Sequence, residues 1–205
     1  MKRAFVIAMP SEADAVRSAL APDDLLFVSG IGKVNAAAAT MRAICAGATE
    51  IWNAGLAGGF GSRVTLGGVY AVARAVEYDF DLASLNGTAP GIKDERTSPY
   101  IPVGTTGLTL ATGDHFDDRE DDLELLNRLG CDLRDMEGAA IADVCDKAGV
   151  RCVMLKCVSD VYGQGSMTGQ YRDNLALCLR RLGEAVASRL EAVASRLKEA
   201  AEPAC

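Results

Sequence analysis

The sequence predicts an α/β domain, and three observations carry that prediction. Apolar runs of strand length alternate with Ala-rich stretches of helical period along most of the chain. Several of the runs are continuously apolar, as expected of strands covered on both faces by helices. The length of 205 residues suits one domain that buries roughly 70% of its unfolded surface, residues 1–205 forming a single unit.

The elements follow in order. Arg3 to Ala8 reads as the first strand, and Ser11 to Leu20 as the helix after it, with Ser11 as N-cap and Glu12 and Asp14 favouring the dipole of its opening turn. Leu25 to Val28 is a second strand, Val34 to Ala46 an Ala-rich helix, and Glu50 to Asn53 a third strand. Further strands are expected at Gly68 to Ala73, Leu108 to Thr112, Asp132 to Met136 and Cys152 to Val158. Helices are expected at Asp121 to Leu129, Ala139 to Lys147 and, longest, Tyr171 to Ala201. That last helix repeats EAVASRL at Glu184 to Leu190 and Glu191 to Leu197. Two heptads are too few for a coiled coil, so the prediction is an amphipathic helix packed on its own domain and fraying at its end. Tyr78 to Gly107 has turn residues throughout and no sustained period, the pattern of a long excursion of the lid or contact-surface kind.

Composition narrows the function. With 49% apolar and 24% charged residues the chain is an ordinary globular one. Its net charge of −7 and scattered Lys and Arg residues argue against nucleic acid as a partner. The opening MKRAFVIAMPSEAD loses its apolar character at Pro10, short of a signal peptide or membrane span, which points to a cytoplasmic protein. The seven cysteines form no C-x-x-C pair and read as buried free thiols. DDREDDLE, Asp117 to Glu124, lacks the spaced ligands of a calcium loop and reads as a solvated helix start. No metal or cofactor site is predicted, and His115, the only histidine, has no Ser or Cys partner recognisable in the sequence.

Ligands of open parallel sheets bind beyond the carboxyl ends of the strands. The segments that follow the strands contain Met9 to Glu12, SGIGKVN (Ser29 to Asn35), NAGLAGGFG (Asn53 to Gly61), GDHFDD (Gly113 to Asp118), DMEG (Asp135 to Gly138) and SDVYG (Ser159 to Gly163). The two glycine stretches suit either a phosphate cradle or tight turns, and neither fits G-x-G-x-x-G or a Walker loop. Glu12, Glu137 and Asp160 can converge in one cleft, where three carboxylates in different environments divide acid, base and cation-stabilising work; helix capping explains any one of them singly.

AMPSEAD, SGIGKVNAA, NAGLAGG, TGDHF, RDMEGAAIA and KCVSD, in this order, resemble the nucleoside phosphorylase and nucleosidase superfamily, and most the 5'-methylthioadenosine/S-adenosylhomocysteine nucleosidase branch, over about Lys2 to Leu182. The resemblance implies a three-layer α/β/α fold around a mixed, partly closed β-sheet, assembly as a homodimer or larger homo-oligomer, and cleavage of a purine N-glycosidic bond. Asp160 then matches the acid that protonates N7 of the departing base, with a carboxyl whose pKa burial raises, and Ser159 orients it. Glu12 matches the acid that activates water, and Glu137 the group that binds the ribose hydroxyls. Met136 would lie against the sugar and Phe116 against the base. Met9, Ile31, Ala57, Gly58 and Asp135 complete the expected substrate pocket, and Lys156 is expected to help hold water or an anion.

Asn53 stands where related phosphorylases carry an Arg that grips phosphate, so water is the expected nucleophile. Leu56 and Lys156 replace the usual Ser and Arg of the nucleosidases, and about one β-hairpin is missing before SGIGK. The sequence thus predicts a purine nucleosidase that needs no cofactor, with water as co-substrate. A phosphate-dependent phosphorylase, a futalosine-type hydrolase and a non-catalytic nucleoside-binding module are the competing expectations.

Overall fold

Alternation along the first strand sets the layering: Phe5 and Ile7 face one side of the sheet, Ala4 and Val6 the other. The computed structural model describes residues 2–93, 96–116 and 120–201. Its strands are β1 (Arg3–Ile7), β2 (Leu25–Val28), β3 (Glu50–Gly59), β4 (Val69–Glu77), β5 (Ile101–Pro102), β6 (Leu108–Thr112), β7 (Leu133–Asp135) and β8 (Arg151–Val161). Its helices are α1 (Pro10–Arg17), α2 (Lys33–Cys45), α3 (Ala83–Asn86), α4 (Glu120–Arg128), α5 (Gly138–Ala148) and α6 (Met167–Ala201).

Ala4, Val6 and Ile51 pack with Ala36 and Ala39 of α2 and Ile141 of α5 on one face. Phe5, Ile7 and Trp52 pack with Val16 of α1 and with Cys178, Leu182, Val186 and Leu190 of α6 on the other. These two cores make the three α/β/α layers. The four-residue spacing of the buried positions in α6 lays one stripe of that helix along the sheet up to Leu190. The helix begins at Met167, four residues before the predicted start.

The sheet is mixed. β1 pairs in parallel with β2 and β3, and β3 with β8, whereas β4 runs antiparallel to β8, and β7 antiparallel to the end of β3. Parallel pairs β4 with β6 and β6 with β7 complete a ring, β3-β7-β6-β4-β8, that returns to β3. The sheet is therefore mixed and partly closed, as the family resemblance implied, whereas the periodicity of the sequence alone suggested a mostly parallel one. β3 belongs to both parts: its first three residues have β1 beside them, and its last two residues have β7 there instead.

Two local expectations also change. The helix α1 is capped at Met9 with Pro10 in its first turn, not at Ser11, because the fixed φ of Pro suits that position. The segment Asn53 to Gly59 is strand, paired with β8 as far as Val161, not a loop. The stretch from Tyr78 to Gly107 is mostly irregular, as expected, but it is fastened to β4 and α5: Lys93 Nζ donates to Glu77 Oε1 (2.8 Å) and Asp143 Oδ2 (3.0 Å), and Arg96 pairs with Asp143. Cys131, Cys145, Cys152, Cys157 and Cys178 are buried free thiols, while Cys45 is exposed and Cys205 lies outside the described residues. Asp117 and Asp118 of the acidic run also lie outside them.

Candidate active site

A cavity of about 390 Å³ opens where β1, β7 and β8 end and the first turns of α1 and α6 meet. Glu12, Glu137 and Asp160 all line it, together with Met9, Ile31, Ala57, Gly58, Phe116, Asp135, Met136 and Ser159. The volume suits a small-molecule ligand.

Glu12, in the first turn of α1, is only 4% exposed. Its Oε2 accepts the Met9 N–H (3.1 Å) and its Oε1 the Leu56 N–H (2.8 Å). Burial raises its pKa, against those two amides and the charge of Lys156. Leu56 thus contributes its backbone to the site, although its side chain offers no polar contact.

The glycines of NAGLAGG make room for carboxylates. A Cβ on Gly55 would lie 3.0 Å from Glu12 Oε1, and one on Gly58 would lie 2.9 Å from Asp160 Oδ2. Neither glycine has a positive φ, so close approach and not backbone freedom explains them. The phosphate-cradle reading of this stretch is corrected accordingly. Asp160 lies within β8, is 4% exposed, and its Oδ1 accepts the Ser159 hydroxyl at 2.7 Å.

Capping of α5 falls to Asp135 and Thr112. Asp135 Oδ2 accepts the Gly138 N–H (2.9 Å), and Thr112 Oγ1 accepts the Ala139 N–H (2.9 Å) while donating to Asp135 Oδ1 (2.6 Å). Glu137 occupies the N-cap position but its side chain makes no capping bond. It turns instead to the loop after β2, where Oε1 accepts the Gly32 N–H at 2.8 Å. Burial and the neighbouring Asp135 push its carboxyl up to about 7. Gly32 reaches this pose at a φ of 100°, which favours glycine. Lys33 fastens the same loop, its N–H to Asp114 Oδ1 (2.9 Å) and its Nζ to Asp79 Oδ1 (2.5 Å).

Lys156 does not line the cavity. It is 1% exposed, and its Nζ lies 2.8 Å from Asp135 Oδ2, behind the carboxylates. Its pKa is raised by Asp135, Glu137 and Glu12 against the effect of burial, so it serves as the countercharge of an acidic cluster. Asn53 is also buried and bridges by Nδ2 to the Val6 carbonyl (2.9 Å), off the cavity wall.

Sequence reasoning missed Arg134, Met167, Tyr171 and His115 as cavity residues. His115 Nε2 lies 2.9 Å from Tyr78 Oη and 2.5 Å from Asp122 Oδ2. Tyr171 meets the half-exposed Phe116 edge to face, with ring centroids 6.0 Å apart, and its hydroxyl points to Met9 Sδ. An Arg directly before DMEG was a readable signal; Met167 and Tyr171 gave none, because α6 reaches the site only through tertiary packing. The loop from Asp79 to Gly107 contributes no described residue to the cavity lining.

Fold and site together define an α/β/α protein with a carboxylate-lined small-molecule cleft. The chain belongs to the phosphorylase superfamily, whose family model matches residues 22–195. It is 32% identical over 160 residues to the 5'-methylthioadenosine/S-adenosylhomocysteine nucleosidase of Oceanobacillus iheyensis, covering 69% of this chain and 70% of that protein. The Arabidopsis thaliana protein of the same name is 28% identical over 181 residues, 85% of this chain and 71% of that one. In three dimensions the chain resembles the futalosine hydrolase of Helicobacter pylori, with a TM-score of 0.85 at 19% identity over 93% of this chain and 97% of that one. A Helicobacter pylori nucleosidase with 5'-methylthioadenosine in its active site gives 0.83 at 19% identity, over 93% and 98%.

Proposed function

We propose that the protein hydrolyses the N-glycosidic bond of a purine nucleoside of the methylthioadenosine and adenosylhomocysteine type, with water as co-substrate. The observation that carries this reading is the meeting of Glu12, Glu137 and Asp160 in one cavity, with Ser159 on the third. The names of its relatives supply the substrate class.

Each carboxylate has a distinct task. Asp160 donates its proton to N7 as the bond from C1' to N9 breaks, and the electron pair leaves with the base. Glu137 holds the ribose hydroxyls and, once ionised, stabilises positive charge on the sugar ring. Glu12 takes a proton from water as the oxygen bonds to C1', and the upward shift of its pKa by burial makes the ionised carboxylate a stronger base. Met136 supports the sugar, and Phe116 with Tyr171 covers the base. Phosphorolysis is disfavoured because Lys156 is committed to Asp135 and is absent from the cavity wall.

The proposed assembly is a homodimer. Val28, Ile31, Val34 and Met41 are exposed on β2, α2 and the loop between them, and Ile31 also lines the cavity, so a second copy seated there would adjoin the site. Light scattering on the purified chain tests this. Among the described residues no helix is long and apolar enough to cross a membrane. The proposed setting is cytoplasmic purine salvage.

The decisive assay measures free base released from a nucleoside panel with and without phosphate. Release independent of phosphate supports hydrolysis. Phosphate-dependent ribose 1-phosphate replaces it with phosphorolysis, and binding without turnover with a non-catalytic module. Asp160→Asn should abolish release.

A further inference from the structure

Arg134 is a buried cation on the wall of a largely apolar cavity that also presents the carboxylates of Glu12, Asp135, Glu137 and Asp160. In the ladder, Arg134 of β7 is opposite Gly58 of β3, and Gly58 is opposite Asp160 of β8. Register partners share a face of the sheet, so Arg134 and Asp160 flank a position with no side chain. The Asp160 carboxyl occupies the space over Gly58, where a Cβ would meet Oδ2 at 2.9 Å. The guanidinium is fixed by its neighbours: Nη2 donates to Met167 Sδ at 3.0 Å, Cζ lies 5.6 Å from the centroid of the Phe60 ring, and Tyr78 is a further hydrogen-bond partner. Acid and guanidinium thus stand on either side of Gly58, and both line the cavity.

We infer that Arg134 reads the C6 substituent of the purine and selects a carbonyl there over an amine. The inference rests on the nucleosidase reading, in which Asp160 addresses N7, and keeps its chemistry while replacing the adenine of the methylthioadenosine type by a 6-oxopurine. The C6 substituent shares an edge with N7, so a base engaged by Asp160 presents it to the neighbouring residue of the row. A guanidinium has five N–H donors and no acceptor. With N7 engaged by Asp160, it can still donate to the O6 acceptor of a 6-oxopurine, whereas the N6 amine of a 6-aminopurine calls for an acceptor. A 6-amino group would set donor against donor. The substrate class favoured by this wall is a 5'-substituted nucleoside of a 6-oxopurine.

The test compares kcat/KM for 5'-methylthioinosine and 5'-methylthioadenosine, which differ only in the base, in the wild type, Arg134→Met and Arg134→Lys. The wild type should favour the 6-oxo nucleoside by roughly tenfold to a hundredfold. Arg134→Met should bring the ratio near unity, and Arg134→Lys should retain part of it. Calorimetry should show the same order for binding of free hypoxanthine and adenine to the wild type, a readout that survives if the Met variant fails to fold. A wild type that prefers the 6-amino nucleoside, or a folded Arg134→Met with an unchanged ratio, overturns the inference and leaves the nucleosidase reading intact. No release from either nucleoside overturns both.

Discussion

Replacing Glu137 by Gln should make the unliganded protein more stable above neutral pH while impairing its chemistry. The carboxyl is 7% exposed, and burial with Asp135 beside it lifts its pKa from 4.5 to about 7. Because the folded state holds this proton more tightly than the unfolded chain, stability is full below about 4.5 and is lost as pH rises through about 7. At 1.36 kcal/mol per pH unit the loss amounts to about 3 kcal/mol, most of it between about pH 5 and about pH 8. Gln does not titrate and can still accept the Gly32 N–H through its amide oxygen, so the variant should lack this decline. Urea unfolding of both proteins at the two pH values measures it directly. The wild type should lose about 2 kcal/mol or more relative to the variant on going to the higher pH. On substrate, kcat/KM of the wild type should rise through about pH 7 as Glu137 ionises; the variant should lose that limb along with ribose affinity. Parallel pH dependence of stability in the two proteins would refute the reasoning, because it would mean that burial at residue 137 does not penalise the charge.

Gly58→Ala should lower kcat by roughly a hundredfold with the fold retained, since the added methyl displaces Asp160 Oδ2 from a strand position where Ala is otherwise acceptable; turnover with circular dichroism checks both halves. Lys156→Met should destabilise by about 3 kcal/mol, because it leaves Asp135 buried without its cation. The same change should move the rising limb of kcat/KM to higher pH, since Lys156 lowers the pKa of Glu137 and Glu12. Leu182→Ala should cost about 2–5 kcal/mol in chemical denaturation, because α6 is fastened to the sheet through this fully buried position.

Most elements were legible because their apolar period is strong: β1, β2, β6 and α5 lie within one or two residues of expectation. The second half of β3 was not, since Gly-rich sequence carries turn propensity and the glycines are there to clear Glu12 and Asp160, which lie far away in the chain. Ring closure was likewise hidden from periodicity. It depends on β4 running antiparallel to β8, a pairing that no local pattern encodes, and it entered the sequence reading only through the family resemblance. At the site, the three carboxylates announced themselves by following or ending apolar runs. Lys156 read as a ligand-facing cation because sequence gives no direction for a side chain within a strand; in the fold its charge is spent on Asp135. Arg134 sat in plain view beside DMEG, but its significance depends on a register with Gly58 and Asp160 that exists only once the strands pair.

The division of labour at the start of α5 has a consequence for how this cleft can change. With Asp135 and Thr112 satisfying the first amides of the helix, the side chain of residue 137 is released from capping it. Substitutions there can alter which sugar the pocket accepts without loosening the helix that carries it. Position 137 is therefore a practical starting place for redesigning the cleft.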